Sequence, residues 1–174
     1  MVGFKTILLN GANEGLPIPE SMYTGLLHGH SGLRYLLLIA LIIAIVAAYR
    51  NVKSGGAYAG AAKLFGLITM ILTDLQLLIG LVLWYVYMDT RTHFKINQFK
   101  DVISNNTARY FLVEHFIMML LAVLSIHLGY RMAKKSITGT AANKAQFRWY
   151  LIALILILIA IPWPFYGNLG RGWF

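Results

Sequence analysis

Titratable side chains are scarce in this 174-residue chain, and several fall where apolar residues surround them on both sides. Arg34, Asp74, Glu114, His115 and His127 lie inside long hydrophobic runs, and His28 and His30 stand near the start of the first. An ionisable group in such a run is costly to keep there and is by default a functional candidate. Imidazoles on two separate helices can clamp a flat macrocycle through its iron, so the histidines point first to haem ligation. The chain has no cysteine, which excludes thioether-attached haem and iron–sulfur ligation.

The elements that must position these groups follow from composition. Hydrophobic residues make up 59% of the chain and charged residues 12%, about half the charge of an ordinary soluble domain. That balance excludes a soluble enzyme, a disordered tail and a disulfide-stapled secreted module. Four apolar runs, over 24–49, 63–88, 108–131 and 146–163, are each long enough to span a bilayer. None alternates with period two, as strands of a membrane barrel would. The expected fold is all-α, a polytopic membrane four-helix bundle forming one domain over 24–163. A tail over 1–23 precedes it and an aromatic tail over 164–174 follows it. Pro162 and Pro164 end the fourth run, since proline cannot continue a helix. Lys5 precedes only a short apolar patch over 6–9 before helix-breaking sequence, so no cleavable signal is expected.

Basic residues set the expected topology. Arg50, Lys53 and Lys63 lie between the first two runs, and Arg131, Lys134, Lys135, Lys144 and Arg148 between the last two, with no acid among them. Lys5, Arg91, Lys95, Lys100, Arg109 and Arg171 lie on the other side, mixed with Glu14, Glu20, Asp89 and Asp101. The positive-inside rule puts the first set in the cytoplasm and both termini outside, in the periplasm of a cell whose inner membrane holds this multi-pass chain. The formal charge of +9 then signals orientation and contact with anionic lipid, not nucleic-acid binding. Tyr23, Trp84, Tyr85, Tyr87, Tyr110, Trp149, Tyr150, Trp163, Phe165 and Tyr166 sit where interfacial belts belong.

The first and third helices run in the same direction, which fixes relative depth. From crossings near 24 and 108, His30 lies about 9 Å and His115 about 10 Å into the membrane, both in its outer third. His28 and His30 point about 160° apart, so only one faces the bundle interior. Arg34, one turn below His30 on the same face, should also look inward, which favours His30 as the iron ligand with His115. His28 stays in reserve, because Gly25, Gly29 and Gly32 form a small-residue stripe closer to it. His127 lies about 18 Å deeper than His115 and about 120° around the helix, so one haem is expected and not two.

Other groups acquire roles around such a cofactor. Arg34 could neutralise a propionate or pair with Asp74, and Glu114 could accept a proton or orient an imidazole. Met118 and Met119 could pack on the ring. Asp74 and Gln76 could line a site for a quinone head group. The competing structural reading treats the histidines as interfacial anchors and Arg34 as half of a buried ion pair with Asp74 or Glu114.

The strings LLHGHSGLRY, DLQLLIGL, EHFIMML, HLGYRMAKK, IPWP and GRGWF resemble the small four-helix membrane proteins of Bacteroidetes-type bacteria labelled "cytochrome B". The resemblance covers 24–174 and implies a b-type haem membrane protein comparable to cytochrome b561-like modules. By position it highlights His28, His30, Arg34, Glu114 and His115.

The expected function is electron transfer by one haem b held between helices one and three near the outer face, exchanging electrons with quinol or a periplasmic carrier. Such a chain is an electron-transfer protein or subunit rather than a stand-alone enzyme. The alternatives are a cofactor-free accessory subunit of a larger respiratory complex, and a non-haem metal site at the outer rim built from His28, His30, His93 and Glu114 or His115. A transporter is disfavoured, because no inverted repeat or pair of broken helices is present.

Overall fold

Hydrocarbon offers the backbone no hydrogen-bond partner, so a chain this apolar crosses it as helices that satisfy themselves. The computed structural model describes residues 18–91 and 99–169, and four of its helices are long and apolar enough to span a membrane. They are α1 (Glu20–Ser54), α2 (Gly60–Arg91), α4 (Asn106–Lys135) and α5 (Gly139–Ala160), with a short α3 (Phe99–Ser104) between the middle pair. Of the outer features expected from sequence, residues 1–17, His93, Lys95 and 170–174 with Arg171 lie outside the described residues.

Every helix end but the last overruns the bound that apolarity suggests, because capping chemistry sets it; α5 instead stops at Ala160, short of 163 and ahead of Pro162. At 35 residues α1 is about 52 Å long, well beyond the ~30 Å hydrocarbon layer. It begins within the segment expected as tail and stops where Gly55 takes a left-handed conformation, φ 67°, returning its N–H to Asn51. Asn105 caps α4 by accepting from the N–H groups of Thr107 and Ala108, each at 3.0 Å. Thr138 starts α5 by accepting from Ala141 at 3.2 Å, seven residues before the apolar run begins.

Around the bundle α2 packs on α1, α1 on α5, and α5 on α4; the seam between α4 and α2 that closes the ring is the sparsest. The core combines Leu37, Leu41 and Ile45 of α1, Ala122 and Ile126 of α4, and Tyr150, Ala153 and Ile157 of α5. Leucines and isoleucines at three- and four-residue steps, such as Leu64, Leu67, Ile71, Leu75 and Leu78 on α2, face outward as a lipid-contacting belt.

The end of the bundle that holds the α1–α2 turn is tied by a buried polar network that places this turn against α5. The amide of Gln146 donates to the carbonyls of Ala62, at 2.8 Å, and Ala44, at 3.4 Å, and its oxygen accepts from the Tyr58 hydroxyl at 2.6 Å. Tyr150 donates to Gly66 at 2.7 Å. A Cβ at Gly66 would lie 2.7 Å from the Gln146 side-chain oxygen, so a larger residue there would push the amide out of its network.

Candidate functional site

At the opposite end the four helices part around a cavity of about 170 Å³, which reaches about 1340 Å³ of empty space when its open side is counted. The face of α1 carrying Tyr23, Leu27, His30, Arg34 and Leu37 lines it, at the three- and four-residue steps that keep residues on one side of a helix. Gln76, Gly80 and Trp84 of α2, His115, Phe116 and Met119 of α4, and Ile157, Ile161 and Pro162 of α5 complete it. His30 is the tenth residue after the start of α1 and His115 the ninth after the start of α4, so they enter at matching depth.

His30 fits against Gly80: a Cβ there would lie 3.1 Å from the His30 Cε1. Gln76 fixes the backbone level by donating to the His30 carbonyl at 2.8 Å. The His30 imidazole makes no hydrogen bond among the described residues, and its Nδ1 is buried. A buried polar atom left unpaired costs about 1–3 kcal/mol, which makes this imidazole a candidate ligand.

His115 is held differently, and the reason lies in IPWP. Pro162 and Pro164 lack the N–H groups that the carbonyls of Leu158 and Ala160 would receive in a continued helix. Trp163 Nε1 donates instead to Leu158 at 2.9 Å. The Ala160 carbonyl accepts from the Tyr110 hydroxyl at 2.8 Å and from His115 Nδ1 at 2.7 Å. A π-helical turn over Tyr110–Glu114 puts these two donors five residues apart on one face, their rings 6.1 Å apart. Trp84 fastens that turn to α2 by donating to the Leu112 carbonyl at 3.0 Å and stacks on Phe116. Donation through Nδ1 fixes the tautomer, leaving Nε2 of His115 with its lone pair.

Arg34 lines the same cavity one turn below His30, its guanidinium donating to the Tyr35 hydroxyl at 2.9 Å and lying 4.7 Å from that ring's centre. The remaining candidates stand elsewhere. His28 is exposed on the far side of α1. A Cβ added at Gly25, Gly29 or Gly32 would meet nothing within 4 Å, so that stripe seats no neighbour among the described residues. Glu114 is exposed and paired with Arg109 at 2.8 Å, so the group orienting His115 is a backbone carbonyl and not this carboxylate. Asp74 is bonded to His127 Nε2 at 2.8 Å, away from Arg34 and off the cavity wall. Among the described residues no three histidines or carboxylates gather as metal ligands.

Sequence reading misses Tyr110, Gly80 and the Ala160 carbonyl. The prolines at 162 and 164 carry a signal, since they strip donors from two identifiable carbonyls; a lone glycine inside an apolar helix carries another.

The residues present fit a bis-imidazole macrocycle: two imidazoles at one depth on separate helices, one oriented and one unpaired, a glycine cradle and a cation on the same wall. Comparison with family models, with curated proteins and with solved structures gave no match.

Proposed function

We propose that this multi-pass membrane protein is a b-type haem protein that transfers electrons, with His30 and His115 as the two iron ligands. The observation that carries the reading is the pairing within one cavity of an Nδ1-anchored imidazole on α4 and an imidazole without a hydrogen bond on α1. The resemblance of the sequence strings to small "cytochrome B" proteins points the same way, though it rests on the same residues. When bound, the haem supplies one-electron redox chemistry.

The chain's own residues do the rest. The Ala160 carbonyl holds the His115 tautomer and raises its basicity as a ligand. Gly80 and Gln76 set the position of His30 from α2. Arg34, one turn below His30 on the cavity wall, would offer a positive charge to a haem propionate. Phe116, Met119 and Leu120, on α4 just past His115, give the wall apolar side chains for a macrocycle to pack on. The basic connections put the cavity toward the outer face of a bacterial inner membrane, where quinol or a periplasmic carrier exchanges electrons with it.

The test is a reduced-minus-oxidised spectrum of the protein purified after expression with haem supplied. An α-band is expected, lost in His115→Ala and His30→Ala and retained in His28→Ala and Glu114→Gln. A colourless wild-type protein, or a band indifferent to His115, sinks the proposal.

A further inference from the structure

The pair Asp74–His127 is unlike the other described polar groups in the membrane. Asp74 is the central residue of the span Gly60–Met88, so it lies at mid-bilayer depth, about 21 Å of helix from either end. His127 Nε2 meets its Oδ1 at 2.8 Å across the α2–α4 seam. The two side chains remain 46% and 42% exposed, and among the described residues the second carboxylate oxygen and second ring nitrogen make no other hydrogen bond. Exposure at this depth is exposure to lipid chains, where unsatisfied polar atoms are costly.

The surroundings say what satisfies them. The outer face beside the pair is built from bulky residues: Leu75 and Leu78 on α2, Leu124 and Leu128 on α4. The small residues that let a second helix approach closely point the other way. Gly66 faces Gln146, Gly80 faces His30, Gly129 faces Trp149 and Tyr150, and Ala122 and Ser125 are buried. A flat, lipid-soluble molecule lying among the acyl chains suits this face better than a second copy of the chain. Thr73, the neighbour of Asp74, and Val123, one turn from His127, line the cavity that holds His30 and His115, so a ring docked here lies against the wall of the redox site.

We infer that Asp74 and His127 form a docking site for the head group of a membrane quinol, the imidazole and carboxylate hydrogen-bonding its ring oxygens from the open side of the α2–α4 seam. The site rests on the electron-transfer reading for its purpose but not for its detection.

The experiment uses the full-length protein in lipid nanodiscs with an azido-decylbenzoquinone photolabel and unlabelled decylbenzoquinone as competitor. Competable label is expected on peptides carrying Asp74 or His127. Asp74→Asn and His127→Gln each weaken it roughly tenfold, the effect of losing one charge-assisted hydrogen bond. Leu78→Trp leaves the pair intact, fills the space beside it and also abolishes labelling, which keeps the test valid if the polar variants misfold. Label confined to the outer cavity, label unchanged in all three variants, or no competable label overturns the site. So does a dimer that Leu78→Trp dissociates, because a second copy would then cover the pair. An α-band without competable label overturns this site alone; competable label at the pair without an α-band overturns the haem reading alone.

Discussion

His115 donates from Nδ1 to the carbonyl of Ala160 at 2.7 Å, and that carbonyl is available because Pro164 stands where its helical donor would be. A helix-breaking motif on α5 therefore sets the tautomer of a histidine on α4. The Tyr110 hydroxyl shares the acceptor at 2.8 Å, so each donor buttresses the other.

Tyr110→Phe removes one of these donors and leaves the His115 bond in place. The variant is expected to lose about 1 kcal/mol of stability, the worth of one neutral hydrogen bond, and to keep its α-band. Thermal unfolding in detergent, followed by tryptophan fluorescence, checks the first, and the reduced spectrum the second.

Gly80→Ala separates the fold from the site. Alanine raises helix stability by about 0.5–1 kcal/mol in general, yet its methyl would lie 3.1 Å from the His30 ring. We expect unfolding to be unchanged or later while haem content per protein falls. Gly25→Ala, at a position open to its surroundings, is the matched control and keeps full haem content.

Gln146→Leu tests the polar network at the α1–α2 turn. The substitution strands the Tyr58 hydroxyl and removes the amide bonds to Ala62 and Ala44, a loss of about 1–3 kcal/mol. Denaturation in mixed micelles should register the loss, with the visible spectrum unmoved, because this network stands at the opposite end of the bundle from the cavity.

Tyr58 adds a pH signature. Burial, aided by nearby Tyr130, pushes its pKa from 10.0 up to about 12. The native state therefore holds the phenolic proton over a window in which the unfolded chain releases it. Tyr58's share of stability is constant below pH 10 and declines as pH rises through 10 toward 12. Unfolding of wild type minus that of Tyr58→Phe, measured from about pH 9 upward, should fall across that window; a flat difference refutes the assignment.

The lack of native cysteine makes orientation directly measurable. In intact cells an impermeant maleimide is expected to label Glu20→Cys but not Lys53→Cys, and to label both after permeabilisation. The reverse pattern inverts the topology.

Much of this arrangement is legible in the residues. Counting from the membrane crossing puts His30 and His115 at one level, and the cost of exposing Arg34 to lipid selects the inward face that carries His30 rather than His28. Partners set by tertiary contact are not legible in the same way. His127 is marked as off the His115 face by spacing, but that its partner is Asp74 depends on which helices share a seam. The glycines at 25, 29 and 32 would give an added Cβ nothing to meet, whereas single glycines at 66, 80 and 129 each receive a bulky side chain. Spacing reveals room for an approach and does not name what approaches. The helix ends escape the sequence for a related reason: polar stretches such as 139–145 are helical because the packed bundle and the Thr138 cap hold them so.

The Ala160 carbonyl also orders events in the life of the chain. One imidazole comes from the first long helix to be synthesised, the other from the third, and the group that aims the latter from the final turn of the fourth. A nascent chain halted before α5 carries both histidines and lacks the acceptor that orients one of them. On the haem reading, a cofactor that needs the oriented imidazole would be captured only after α5 has joined the bundle.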